Sequence, residues 1–141
     1  MESDMYSFND ISILLVDDEQ EFLDVMHKRL NKRGFHVYTS NTGQDAIQKL
    51  RENNFSMAVL DLKMHDMDGL EILKIFKKMV PGLPVVMLTG HGSEEAAREG
   101  IALGAFDYLI KPCDFEYLIQ TINSAVLDRD NSPQPKEKKD S

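Results

Sequence analysis

Apolar residues in this chain come either in short unbroken blocks or singly at every third or fourth position. Four blocks rich in β-branched residues predict strands at 11–16 (ISILLV), 56–61 (SMAVLD), 84–89 (PVVMLT) and 106–110 (FDYLI), with a weaker one at 35–39 (FHVYT). They are nearly continuous rather than alternating, which suits strands covered on both faces. Between the blocks the period lengthens to that of a helix. Phe22, Val25, Met26 and Leu30 mark a first helix that ends at Gly34, a good residue for the position after a helix. Ala46, Ile47 and Leu50 mark a second, and Leu70, Leu73, Ile75 and Phe76 a third, ended by Pro81-Gly82. Ala96, Ala97, Ile101 and Leu103 predict a fourth, with Ser93 as N-cap and Gly104 after it. Phe115, Leu118, Ile119, Ile122 and Val126 share one face of a fifth, capped by Asp114.

The order βαβαβαβαβα calls for a parallel sheet with helices on both faces, and right-handed crossovers leave few topologies. Residues 1–10 form a polar leader and 11–128 one domain. From residue 129 the chain, RDNSPQPKEKKDS, has no large apolar side chain. Its composition predicts a disordered tail or the start of a linker.

Ligands of an open parallel sheet bind beyond the carboxyl ends of its strands. The first strand ends there in Asp17 and Asp18, the third in Asp61 and the fourth in Thr89, while the fifth runs into Lys111-Pro112. An apolar run that stops at two adjacent carboxylates needs an explanation. Two such charges about 4 Å apart repel by roughly 4 kcal/mol at an effective dielectric near 20. A hard divalent cation relieves that repulsion, since Mg²⁺ takes one or two carboxylates and keeps several waters. Asp61 then suits a nucleophile toward phosphorus. Phosphoryl transfer needs mainly positioning and charge stabilisation, which a cation, Lys111 and the Thr89 hydroxyl supply.

Length and charge narrow the choice. At 141 residues with 42% hydrophobic, the chain can bury one full core. A net charge of −8 argues against general affinity for nucleic acid. Cys113 stands alone, so neither an internal disulfide nor a two-cysteine metal knuckle is possible. No apolar run is long enough to cross a bilayer, and the acidic N-terminus lacks the features of a secretory signal. A cytoplasmic protein is the default expectation.

The stretches LLVDDE, VLDLKMHDMDGLEIL, VVMLTGHG and FDYLIKP, in that order, resemble the receiver domain of two-component response regulators over roughly residues 11–127. The resemblance implies a (βα)5 flavodoxin-like fold, a doubly wound five-stranded parallel sheet of order 2-1-3-4-5. It implies Asp61 as phosphoacceptor, charged by a sensor histidine kinase, a histidine phosphotransfer protein or a small phosphodonor. Asp17, Asp18, Asp61 and the backbone carbonyl of Lys63 match the ligands of Mg²⁺, a site that Mn²⁺ would also fit. Thr89 and Tyr108 match the switch residues, Lys111 the phosphoryl-binding lysine, and Lys111–Pro112 a bond that is usually cis. Lys63 and His91 occupy positions that tune hydrolysis of the acyl phosphate. The family implies a signalling phosphoacceptor that catalyses only its own modification. It implies a downstream protein or effector domain on the α4-β5-α5 face, a possible homodimer on phosphorylation, and no direct contact with nucleic acid or membrane. One departure stands out: His65 takes the place where the family usually has proline, so the loop after Asp61 lacks that ring's fixed φ.

Other classes fit less well. A flavin- or nucleotide-binding module would offer a glycine- or hydroxyl-rich first turn, whereas this one offers Asp17, Asp18 and Glu19. An aspartyl phosphatase would need D-x-D spacing at the first strand and a cap domain. The remaining alternative is a receiver-like interaction module that works without phosphorylation. It is disfavoured by the presence of every expected active-site residue type. Singly, Thr89 suits an ordinary turn, Lys111 a surface, and Tyr108 an amphipathic edge.

Overall fold

A computed structural model describes residues 10–90 and 94–131. Among them strands and helices alternate: β1 (Ser12–Val16), α1 (Gln20–Lys32), β2 (His36–Ser40), α2 (Gly43–Glu52), β3 (Met57–Leu60), α3 (Gly69–Met79), β4 (Val85–Thr89), α4 (Glu94–Ala102), β5 (Asp107–Ile110) and α5 (Phe115–Asn131). The strands form one parallel sheet in the order β2-β1-β3-β4-β5. This is the doubly wound, flavodoxin-like arrangement expected from the sequence.

Alternate side chains of each central strand enter two separate cores, which is why the strand blocks lack polar positions. Ile13 and Leu15 of β1 pack with Leu23, Met26 and Leu30 of α1 and with Leu118, Ile119 and Ile122 of α5. Leu14 and Val16 pack on the opposite side with Ala46 and Leu50 of α2 and with Ile72, Leu73 and Phe76 of α3. Burying one such Leu or Ile is worth roughly 1.5–3 kcal/mol.

The helical faces differ in detail from those expected. Leu23 is buried in α1 where Val25 was expected, and Val25 is 53% exposed. In α3, Ile72 is buried and Ile75 only partly so. In α4 the buried residue is Gly100, whereas Ile101 is largely exposed. A Cβ at Gly100 would lie 2.7 Å from Met87 Sδ. The helix sits too close to β4 for a large side chain there, so a glycine rather than a bulky apolar residue makes the contact. Helix α1 ends as expected, with Gly34 at φ 99°. Helix α5 runs past residue 128 because Arg129 reaches back, its Nη1 donating to the carbonyls of Phe55 (2.8 Å) and Ser56 (3.2 Å). The rest of the expected tail, from residue 132, lies outside the described residues, as do the expected cap Ser93 and His91.

Candidate functional site

The sheet's own ladder carries the site. One residue beyond the strands, Asp17 N–H donates to Ser40 O (3.1 Å), Asp61 N–H to Val16 O (3.0 Å) and Lys111 N–H to Thr89 O (2.9 Å). Residues scattered over 95 positions of chain are thereby held at one rim. Asp17, Asp18 and Asp61 each present a carboxylate oxygen within 4.8 Å of the others. Asp17 and Asp61 are buried and Asp18 partly so. Asp18 and Asp61 border an open cleft of about 520 Å³ that also takes in Glu19, Lys63, Met64, His65, Gly90 and Lys111.

Lys111 is the counter-charge. Its Nζ lies 2.7 Å from Asp17 Oδ2, 3.0 Å from Glu19 Oε1 and 3.6 Å from Asp61 Oδ2. The ammonium also sits 4.1 Å from the centroid of the Phe22 ring, a cation–π contact that steadies it. Burial works against the charge on Lys111, yet its hydrogen bonds to Asp17 and Glu19 and the field of Asp61 hold its pKa above the ordinary value. Burial pushes the Asp17 carboxyl up to about 6, with the Asp61 charge adding to the effect, against the hydrogen bonds from Lys111 and the Glu19 N–H. The excess of acids around one ammonium raises Lys111, whereas burial, more than the Asp61 charge, raises Asp17. A second cation fits this donor set, because clustered carboxylate oxygens open to water suit Mg²⁺.

The loop after β3 frames the other side of the cleft. Lys63 N–H donates to Asp61 Oδ1 at 3.2 Å, which turns the backbone over the carboxylate. Gly69 N–H closes the loop on Leu62 O at 2.9 Å. A Cβ at Gly69 would stand 2.7 Å from the Leu62 carbonyl carbon, so only glycine permits that closure. Asp66 ties the loop to α2 by accepting from Gly43 N–H (2.8 Å) and Gln44 N–H (3.1 Å). Burial alone would raise its carboxyl, but the backbone N–H donors of Gly43, Gln44, Asp66 and Met67 together hold its pKa below the ordinary range.

Thr89 is fully buried at the end of β4. The Tyr108 ring packs on the α2/α3 side of the sheet, and its hydroxyl is buried without a hydrogen-bond partner among the described residues. Burial, and then the charge of Asp61, raise the Tyr108 pKa. The Lys111–Pro112 peptide is cis. The structure thus brings Asp18, Asp61, Lys63 and Lys111 to one cleft, with Asp17 held against Lys111, while Thr89 is buried at the end of β4 and Tyr108 packs on the α2/α3 side. Sequence reasoning did not single out Glu19, which shares Lys111, or Asp66, which anchors the loop. Glu19 was visible as a third acid after the pair. Asp66 carried no signal, since its partners are 22 and 23 residues away.

The sequence profile of the response regulator receiver domain matches residues 13–123. The chain belongs to that family. This receiver is 37% identical over 118 residues to the transcriptional regulatory protein ZraR of Escherichia coli K12, a match covering 84% of this chain and 27% of ZraR. The chain therefore spans about a quarter of the length of that relative. Its fold superposes on a CheY-like receiver domain from Methanospirillum hungatei with a TM-score of 0.82 at 30% identity, covering 85% of this chain and 96% of the other. It superposes on the beryllofluoride-activated NtrC4 receiver domain, described as a dimer, with a TM-score of 0.79 at 34% identity, covering 84% and 98%. The receiver is a signalling domain of two-component systems, whose members take phosphate from a histidine kinase and are linked to effector domains. Among the described residues no helix is long and apolar enough to cross a membrane.

Proposed function

We propose that Asp61 accepts a phosphoryl group from the phosphohistidine of a sensor kinase or a histidine phosphotransfer protein, or from a small phosphodonor. The observation that carries this reading is a buried Asp61 at the floor of an open cleft, flanked by Asp17, Asp18 and Lys111. An Asp61 carboxylate oxygen attacks phosphorus in line. The P–N bond of phosphohistidine breaks, its electron pair stays on the imidazole nitrogen, and a mixed anhydride forms on Asp61. Lys111, already close to Asp61 Oδ2, offers its ammonium to a phosphoryl oxygen. Asp17, Asp18, Asp61 and the Lys63 carbonyl would hold Mg²⁺, or Mn²⁺ in its place, and such an ion would supply charge neutralisation for the transferring group. Lys63, exposed at the cleft, and His91 tune the lifetime of the product. A Lys63→Ala, His91→Ala double variant is expected to change that lifetime.

The output is a population shift. The Tyr108 hydroxyl is already buried without a partner, which supports an inward ring position that a phosphorylated Asp61 and a displaced Thr89 stabilise further. Ile101 on α4, Ile110 on β5 and Tyr117 on α5 are about half exposed and supply apolar contacts for a downstream protein, an effector domain or a second copy of the chain. Dimerisation on phosphorylation is supported by the likeness to the NtrC4 receiver dimer. The negative charge supports a domain that contacts neither nucleic acid nor membrane directly, and membership of the receiver family supports a place in the cytoplasm. Amide NMR spectra recorded before and after addition of acetyl phosphate with Mg²⁺ test the reading. Shifts are expected at residues 61, 89 and 108 and across the α4-β5-α5 face. Shifts confined to the cleft would contradict the switch.

A further inference from the structure

Position 65, usually proline in receivers, here places an imidazole at the mouth of the acidic cleft. His65 Nε2 lies 3.4 Å from Asp18 Oδ2, and both residues line the cleft with Asp61 and Lys63. The imidazole is 90% exposed, so its ring nitrogen is open to a ligand, while the Asp18 carboxylate is only 12% exposed. Two donors each about 2.1 Å from one ion, at angles of about 90–110°, stand about 3.0–3.4 Å apart. The His65–Asp18 separation therefore matches a pair that shares an ion. The oxygens of Asp17, Asp18 and Asp61 lie within 4.8 Å of one another in a group that does not include the His65 nitrogen, which reaches it through Asp18.

We propose that His65 Nε2 is a further ligand of the cation site. It converts an all-oxygen site into a mixed nitrogen and oxygen site that prefers late first-row divalent ions such as Co²⁺ and Ni²⁺. The inference rests on the reading of the acidic cleft as a cation site and adds to it the residue that sets ion preference. Mg²⁺ is a hard ion that keeps oxygen ligands and gains little from an imidazole. Later divalent ions bind imidazole strongly, and their affinity rises along the series toward copper. The carboxylates thus bind either class of ion, and His65 discriminates between them.

Calorimetric titration of the whole chain with Co²⁺ and with Mg²⁺ tests this, comparing wild type with His65→Ala, His65→Pro and Asp18→Asn. The expected result is one Co²⁺ site per chain that both His65 variants weaken by about tenfold or more, with Mg²⁺ affinity kept within about twofold. Asp18→Asn weakens both ions. The visible absorption of bound Co²⁺ is expected to shift between wild type and His65→Ala, reporting the nitrogen ligand directly. The proposal is overturned if His65→Ala leaves Co²⁺ affinity and spectrum unchanged, or if Asp18→Asn leaves Co²⁺ affinity unchanged. It is equally overturned if His65→Ala weakens Mg²⁺ and Co²⁺ by the same factor, which would make His65 a loop-positioning residue. A wild type that binds no Mg²⁺ would instead overturn the cation reading beneath it.

Discussion

The Lys111 ammonium donates to Asp17 Oδ2 at 2.7 Å across 94 residues of sequence. Both groups are withdrawn from solvent, with side-chain exposures of 17% and 2%. Removing one partner of such a pair leaves the other buried and unpaired. Lys111→Ala is expected to lower stability by about 2–4 kcal/mol in metal-free buffer, with part of the loss restored by Mg²⁺. Urea unfolding with and without Mg²⁺ measures both. An equal loss in the two conditions would contradict the charge argument.

Asp17 gives a pH dependence of opposite character to that of a salt-bridged carboxylate. Its pKa rises from 3.8 to about 6 in the folded protein. Between those values the folded state holds a proton that the unfolded chain has released, so stability falls as pH rises from about 4 through 6 and stays lower above. Asp17→Asn removes that dependence. The variant is expected to gain on the order of 1–2 kcal/mol over wild type at pH 7 without metal and almost nothing at pH 4. Thermal unfolding across that range checks the sign. The same protonation competes with the cation, so Mg²⁺ affinity in wild type is expected to weaken as pH falls through 6.

The loop over Asp61 depends on Gly69, where a Cβ would collide with the Leu62 backbone. Backbone cannot yield as a flexible side chain does. Gly69→Ala is expected to cost on the order of 2–3 kcal/mol and to displace Lys63 and His65. Differential scanning calorimetry measures the loss, and an unchanged Tm would contradict the close approach.

A buried hydroxyl without a partner costs stability. Tyr108→Phe removes the one at Tyr108 and keeps the ring. It is expected to leave stability unchanged or raise it by about 1 kcal/mol. A clear loss in denaturant titration would show that the hydroxyl is satisfied.

The fold was legible because the three central strands are short and apolar on both faces, and every strand is separated from the next by a helical period. Neither feature depends on distant residues. The carboxylates were legible for the same reason: a polar residue ending a parallel strand has only one rim to occupy. What escaped were contacts set by how closely elements approach. Gly100 rather than Ile101 faces β4 because α4 lies nearly on Met87. Arg129 reads as part of a polar tail until the carbonyls of Phe55 and Ser56 are brought beneath it. Asp66 and His65 look like loop polarity, and only the folded loop sets one against the N-terminus of α2 and the other against Asp18.

The central claim is that Asp61 is the phosphoacceptor, and intact mass after incubation with acetyl phosphate tests it most directly. Wild type is expected to gain one phosphoryl group in Mg²⁺ and none when the metal is chelated, and Asp61→Asn is expected to gain none in either condition. An adduct that persists in Asp61→Asn, or forms equally without metal, would contradict the account.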